Sequence, residues 1–129
     1  MIDTNYIQEE NILYMDRKGE IKMQDLFAQV QVTVSNYKDL KCLYILDDAR
    51  ESIPQFSSSD YPELSKKIND GLSHFLEVRH AILVDSAMNT ALGILFEGMA
   101  NEIQSYSFKT FFSEEDAKNW LKDGAHYCV

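Results

Sequence analysis

Residues 42–46 read CLYIL, a nearly continuous apolar run that ends at Asp47 and Asp48. Apolar residues that follow one another without polar interruption are typical of a strand that is covered on both faces. We therefore predict a central strand here, with helices above and below the sheet. Residues 81–84, with the sequence AILV, form a second run that ends at Asp85 and predicts a neighbouring buried strand.

Helices are predicted around these strands because apolar residues recur there at spacings of three and four. One helix covers about residues 22–36, a second covers about 61–77, a third follows Asp85, and the last begins at the acidic residues 114–116. A polar connection from Asp48 to Asp60 leads to the second helix. The second half of the first helix is rich in β-branched residues, so it can also be interpreted as a strand.

The remaining segments add strands at both ends of the chain. Residues 6–7 and 12–15 predict a hairpin, and the alternation over residues 105–112 predicts a strand that is half covered by helices. The order of strands and helices predicts an α/β fold, with a mixed, largely parallel sheet of about five strands and about four helices packed on it. We expect a single domain over residues 1–129.

Charge and composition exclude several functions. The chain has 12 Lys and Arg against 21 Asp and Glu, a formal charge of −9, and its basic residues are scattered. Nucleic acids and anionic membrane surfaces are bound largely through clustered basic residues, so neither is expected as a partner. We expect no integral membrane segment, because no apolar stretch approaches the roughly 20 residues that span a bilayer. The N-terminus shows no secretory signal, so we expect a cytoplasmic protein.

Neither metal binding nor a disulfide is predicted. Cys42 and Cys128 are far apart in the sequence and belong to no paired spacing, so we expect reduced thiols. His74, His80 and His126 have no metal-ligand spacing and are interpreted as surface residues. No Ser-His-Asp, Cys-His or glycine-rich phosphate-binding motif can be assembled. We therefore expect no metal, no cofactor and no enzymatic activity.

Four segments together resemble a known family. Residues 16–21 (DRKGEI) place a glycine turn before a helix, and residues 42–47 and 79–85 match its strands. Residues 107–121 (SFKTFFSEEDAKNWL) combine an aromatic strand, an acidic helix start and an Ala-x-x-Trp-Leu helix, and are the most specific part. The chain resembles the STAS domain superfamily, most closely its SpoIIAA-like branch of small bacterial proteins.

The resemblance implies a non-enzymatic binding or regulatory module that acts through protein contacts on the segment 48–60 and the helix after it. In anti-sigma-factor antagonists a serine at this helix start is phosphorylated and controls partner binding. The serine triplet suits such a switch, since a helix N-terminus favours an anion. A solvated helix cap is the favoured interpretation, because Ser is a usual capping residue and Asp60 and Glu63 would repel a phosphate. The candidate switch or partner-binding residues are Asp48, Arg50, Ser52, Ser57, Ser58 and Ser59.

A second candidate site lies at the predicted strand ends. Asp47, Asp85 and Ser86 follow two neighbouring strands, where open α/β sheets usually place ligands. Convergent carboxylates there could bind a cation or transfer protons. The alternative is a set of solvated strand ends, with Arg50 neutralising one aspartate.

An apolar ligand is the alternative function, because the SpoIIAA-like branch also resembles the lipid-binding CRAL-TRIO fold. Methionine adapts its shape, so one face of the third helix can line a ligand groove, although an ordinary core face has the same spacing. Nearby aromatic residues raise the possibility of a homodimer. The candidate apolar ligand surface consists of Met88, Leu92, Leu95, Phe96 and Met99.

Overall fold

A computed structural model describes residues 1–124 and residue 128 of the chain. This part contains five strands, four α-helices and one short 3-10 helix, so the predicted α/β class is confirmed. In chain order the elements are β1 (Ile2–Ile7), β2 (Ile12–Ile21), α1 (Met23–Tyr37), β3 (Cys42–Pro54), the 3-10 helix (Ser58–Asp60), α2 (Tyr61–Leu72), β4 (Glu77–Leu83), α3 (Ala87–Ala100), β5 (Tyr106–Phe111) and α4 (Glu114–Asp123).

The sheet is mixed and largely parallel, as predicted. Its strand order follows the chain, β1-β2-β3-β4-β5, which places β3 at the centre. The β1–β2 pair is the predicted antiparallel hairpin, and the other three pairs are parallel. Between Asp16 and Lys18 the register of β2 against β3 shifts, because β3 carries one extra residue there. A bulge of this kind bends a strand and re-aims nearby side chains.

The two faces of the sheet carry different helices. On one face Leu43 and Ile45 of β3 pack with residues from α1, α2 and α3 in the largest core cluster. On the other face Tyr44 and Leu46 pack against Ala117 and other residues of α4. This alternation along β3 follows from the two-residue period of a strand, and burial on both faces explains its apolar run.

α1 is helical throughout, including its β-branched second half, because tertiary packing outweighs the modest helix cost of valine. Val30 and Val34 face α2 at Gly71. A Cβ atom at Gly71 would lie 3.2 Å from a methyl group of Val30 and 3.4 Å from one of Val34. Glycine therefore allows α1 and α2 to approach closely.

Several predicted boundaries are wrong. β1 already begins at Ile2, and β2 continues to Ile21, so the residues of the predicted glycine turn lie within a strand. β3 continues to Pro54, because its residues 48–54 pair with β2, so the predicted polar connection begins inside a strand. α2 ends at Leu72, and Glu77 already belongs to β4. Glu77 and Arg79 are both 7% exposed although they are charged, and these two polar residues concealed the start of the buried strand in the sequence.

The prediction of reduced thiols is also wrong, since Cys42 and Cys128 form a disulfide with their Cα atoms 6.0 Å apart. A helix that packs on a parallel sheet runs back toward the starting edge of the strands. α4 therefore ends near this starting edge, where Cys42 is the first residue of β3 and bonds to Cys128. Sequence separation does not reveal this proximity.

Of the helices within residues 1–124, none has the length and apolar character needed to cross a membrane.

Candidate functional site

Four polar side chains cross the sheet beneath α1, α2 and α3, one from each of four neighbouring strands. We call them the polar row: Arg17 on β2, Asp47 on β3, His80 on β4 and Tyr106 on β5. Arg17 donates from Nε and Nη2 to the two carboxylate oxygens of Asp47, over 2.9 and 2.6 Å. Nε2 of His80 lies 2.8 Å from Oδ2 of Asp47, and its Nδ1 lies 2.8 Å from the Tyr106 hydroxyl. The row is thus one continuous hydrogen-bonded chain.

Asp47 carries a negative charge inside the core, where its side chain is 0% exposed. Burial raises its pKa, but the guanidinium of Arg17 and the hydrogen bond from His80 outweigh burial and lower the pKa to about 2. An ionised carboxylate can only accept hydrogen bonds, so Nε2 of His80 must donate to it. In a neutral imidazole, Nδ1 then accepts from the Tyr106 hydroxyl. Burial raises the pKa of Tyr106, which keeps that hydroxyl protonated.

A cavity of about 90 Å³ lies over the polar row. This volume is several times the roughly 10–15 Å³ that a single water requires. The polar row forms part of the lining, and the remainder is mainly apolar. The apolar side chains come from the sheet, from all three helices above it and from the connection after β3: Ile2, Met15, Leu26, Val30, Ile45, Phe56, Leu64, Ile68, Leu72, Ile82, Leu92, Phe96 and Phe108.

Aromatic contacts hold the cavity walls in place. The ring of Phe96 packs edge-to-face against Tyr61 on α2 and against Phe108 on β5, with centroid distances of 5.1 and 4.9 Å. Tyr61 also donates a hydrogen bond of 3.1 Å to the carbonyl of Leu92, which joins α2 to α3. Ring contacts of this geometry stabilise the packing beyond the area that they bury.

Two polar groups of the lining are left without partners. Asn89 donates from Nδ2 to the carbonyls of Ala49 and Ser52, over 3.2 and 3.1 Å, which leaves its Oδ1 free to accept. Nη1 of Arg17 is free to donate. Neither atom has a hydrogen-bond partner within residues 1–124 and 128, and both side chains line the cavity. The cavity lining therefore offers a donor and an acceptor.

The predicted strand-end site is not assembled as expected. Asp47 and Asp48 lie within β3 and point to opposite faces, so only Asp47 lines the cavity. Asp48 accepts hydrogen bonds of 2.9 and 2.8 Å from Arg50, in the neutralising pair that the sequence suggested. Asp85 and Ser86 are exposed. The Ser86 side chain accepts a hydrogen bond of 3.1 Å from the backbone of Asn89 and caps α3.

The predicted switch residues lie along the end of β3 and the turn before α2. Ser52 donates a hydrogen bond of 2.7 Å to the carbonyl of Ala49. The hydroxyl groups of Ser57 and Ser59 lie 2.7 Å apart, and Ser57 caps the 3-10 helix. Ser57, Ser58 and Ser59 are all exposed.

The predicted apolar surface is divided by the structure. Leu92 and Phe96 line the cavity, and Met99 is half-buried against the main core. Met88 and Leu95 point away from the cavity into solvent, with exposed fractions of 60% and 55%.

Sequence reasoning missed four site residues: Arg17, His80, Asn89 and Tyr106. The prediction that His80 is a surface residue is wrong, because its side chain is only 12% exposed. The available signal was a polar residue at an inward position of an alternating strand, such as His80 between Val78 and Ile82. His74 is exposed, and His126 lies outside the described residues.

Among residues 1–124 and 128, no three His, Cys, Asp or Glu side chains are placed to hold a metal ion.

Comparison with solved structures identifies the fold. A crystal structure of an uncharacterized protein of the DUF3478 family from Shewanella loihica PV-4, described as having a SpoIIAA-like fold, matches with a TM-score of 0.60. The match covers 94% of this chain and 92% of that one, at 20% identity. This chain has a SpoIIAA-like fold. The resemblance found in the sequence is therefore confirmed at the level of the fold.

The Bacillus cell fate determinant SpoIIAA, in its phosphorylated form, matches over 95% of this chain and 100% of its own length, with a TM-score of 0.49 and 7% identity. No protein-family model matches the chain, and comparison with curated proteins gives no match.

Proposed function

We propose that this protein is a non-enzymatic binding module whose cavity holds a small, mainly apolar ligand. One observation carries the proposal: a cavity of about 90 Å³ has mainly apolar walls, and its lining includes two side chains, Arg17 and Asn89, with unused hydrogen-bonding capacity. Ligand sites in proteins share this character, being concave and largely apolar with a few polar groups that set orientation. A SpoIIAA-like fold suggests a regulatory or binding module, which agrees with this function.

Binding is favoured over catalysis by the state of the polar row. Both nitrogens of His80 and both carboxylate oxygens of Asp47 already have partners within the row. A general acid or base must reach a proton on the substrate. In this arrangement the titratable groups are hydrogen-bonded to one another. The groups left for a ligand are the amide oxygen of Asn89 and one guanidinium nitrogen of Arg17.

Two leucines on α3 provide a matched test of the ligand site. Leu92 lines the cavity, and Leu95 on the same helix is exposed. Benzene, which binds in dry apolar cavities, serves as the probe in an amide NMR titration. We expect saturable shifts at residues around Leu92 and Phe96, their loss in Leu92→Phe, and their retention in Leu95→Phe. The proposal fails if benzene gives no saturable shift in the native protein, or if both variants behave alike.

We also propose that the segment 48–60 and α2 form the contact surface for a protein partner. The segment connects the cavity to the surface, because Phe56 lines the cavity while Ile53 is 57% exposed. A ligand that moves Phe56 would alter what a partner meets at Ile53. Phosphorylation of the exposed Ser57–Ser59 triplet would act on the same surface.

Two exposed isoleucines test the partner surface. Once a partner is purified, Ile53→Asp should weaken its binding in a titration by calorimetry. Ile94→Asp should not, because Ile94 is equally exposed at 56% but lies on α3. Equal effects of the two variants would exclude the segment as the contact surface.

A cytoplasmic location, a homodimer and a single domain over residues 1–129 stay predictions.

A further inference from the structure

We propose that the cavity selects uncharged ligands whose polar end carries both a hydrogen-bond acceptor and a donor, such as a primary amide, over carboxylates of the same size. This inference rests on the function proposed above. It names the chemical class of the ligand, whereas that function requires only that a small apolar molecule enters the cavity.

The first reason is the charge of the lining. Arg17 is the one Lys or Arg side chain among the residues that line the cavity, and Asp47 already neutralises it through two hydrogen bonds. A carboxylate that entered would lose its hydration and lie close to the charge of Asp47. Burial of a charge is costly unless a partner of opposite charge is available. Here the partner would be Arg17, which is already paired with Asp47.

The second reason is the pairing of the two free groups. The carbonyl of an amide can accept from Nη1 of Arg17, and its NH2 group can donate to Oδ1 of Asn89. A carboxylate can use the first contact but has no proton for the second, so Oδ1 of Asn89 would face an anion. A buried acceptor without a partner carries a desolvation penalty.

The position of Asn89 makes this complementarity specific. Its hydrogen bonds to the carbonyls of Ala49 and Ser52 hold the amide group in one orientation, so the group cannot flip to present its NH2 in place of Oδ1. Ala49 follows Asp47 by two residues and packs with Ile82 and Phe108, which line the same cavity. The free acceptor is therefore held close to the Arg17–Asp47 pair.

The test compares pentanamide with pentanoate, which have equal numbers of heavy atoms and suit a cavity of about 90 Å³. In amide NMR titrations at neutral pH, we expect pentanamide to bind the native protein at least roughly tenfold more tightly than pentanoate does. Asp47→Asn removes the negative charge with little change of size and leaves Arg17 unneutralised. This variant should reverse the preference, so that pentanoate binds more tightly than pentanamide.

A second variant keeps the test decisive if Asp47→Asn does not fold. Asn89→Leu removes the free acceptor, so it should weaken the binding of pentanamide roughly tenfold and should not weaken that of pentanoate, which loses an unfavourable contact. The inference is overturned if pentanoate binds the native protein as tightly as pentanamide, or if neither compound binds while benzene does. If benzene also fails to bind, the proposed function itself is wrong. The two failures are thereby distinguished.

Discussion

Arg17 and Asp47 lie 30 positions apart in the chain and are joined by two hydrogen bonds, of 2.9 and 2.6 Å, inside the core. The Arg17 side chain is 13% exposed and that of Asp47 is 0% exposed, so both charges have lost nearly all their hydration. Two buried charges are tolerated only when geometry and additional hydrogen bonds compensate for desolvation. His80 supplies the additional hydrogen bond. The bulge in β3 lies opposite Arg17, next to this ion pair.

Removal of Asp47 should destabilise the protein strongly. Asp47→Ala leaves the Arg17 guanidinium without its partner in the core, and we expect a loss of about 3–5 kcal/mol in the free energy of unfolding, measured with urea. The adjacent Asp48 is the control, because its pair with Arg50 is at the surface, where Arg50 is 38% exposed. Asp48→Ala should cost only about 0–1 kcal/mol. Equal costs would contradict the assignment of the buried pair.

Stability should fall in acid because of Asp47. Its pKa lies at about 2 in the folded protein, below the ordinary value of 3.8 that applies after unfolding. The carboxylate therefore contributes its full stabilisation above pH 3.8, and this is lost as the pH falls through about 2. The difference corresponds to about 2 kcal/mol.

Urea unfolding at a series of pH values would show this loss. Asp47→Asn should lack that part of the pH dependence. Both proteins keep Asp48, so the difference between their curves isolates Asp47. Parallel curves for the two proteins would show that Asp47 does not have a lowered pKa.

The Cys42–Cys128 disulfide should stabilise the protein. It closes a loop with a sequence separation of 86, for which the chain-entropy account gives about 4–5 kcal/mol. We expect dithiothreitol to lower the melting temperature of the native protein and to leave that of Cys128→Ser unchanged. A thiol assay on the unreduced, unfolded protein should find no free thiol. Two free thiols would show that the bond does not form, as is usual in a reducing compartment.

Two glycines on α3 should respond oppositely to alanine. A Cβ atom at Gly93 would lie 2.8 Å from Oγ1 of Thr110 on β5, so Gly93→Ala should destabilise the protein by about 1–3 kcal/mol. A Cβ atom at Gly98 would meet nothing within 4 Å, so Gly98→Ala should stabilise the helix by up to about 1 kcal/mol. Thermal or urea unfolding of the two variants would measure both changes in stability.

The double variant Gly93→Ala/Thr110→Ala tests the cause. Oγ1 of Thr110 is buried and has no hydrogen-bond partner among the described residues, so its removal breaks no bond. Thr110→Ala should therefore restore much of the stability lost in Gly93→Ala. No recovery would mean that the contact between α3 and β5 is not what excludes a larger residue at position 93.

Much of the fold could be predicted because local spacing reports which face of an element is buried. The apolar run at residues 42–46 and the three-and-four spacing after Asp85 were sufficient for β3 and α3. The start of β4 was missed at Glu77 and Arg79, since these charged residues are buried under α4 and break the apolar pattern. Strand pairing with β2, which no local pattern encodes, extends β3 to Pro54.

The candidate site was predicted only in part. The sequence alone points to Leu92, Phe96 and Asp47, but it places Asp47 at a strand end together with Asp85. Its true partners, Arg17 and His80, come from neighbouring strands and are distant in the chain.

Periodicity along the chain is a local property, and it was enough to establish the order of strands and helices and the largely parallel sheet. The polar row, the cavity and the disulfide depend instead on strand register and on how the helices return across the sheet. A shift of one residue in the register would turn Asp47 to the opposite face and away from Arg17. Contacts of this kind arise between segments that local spacing cannot relate, and for that reason they are set by the tertiary packing of the whole chain.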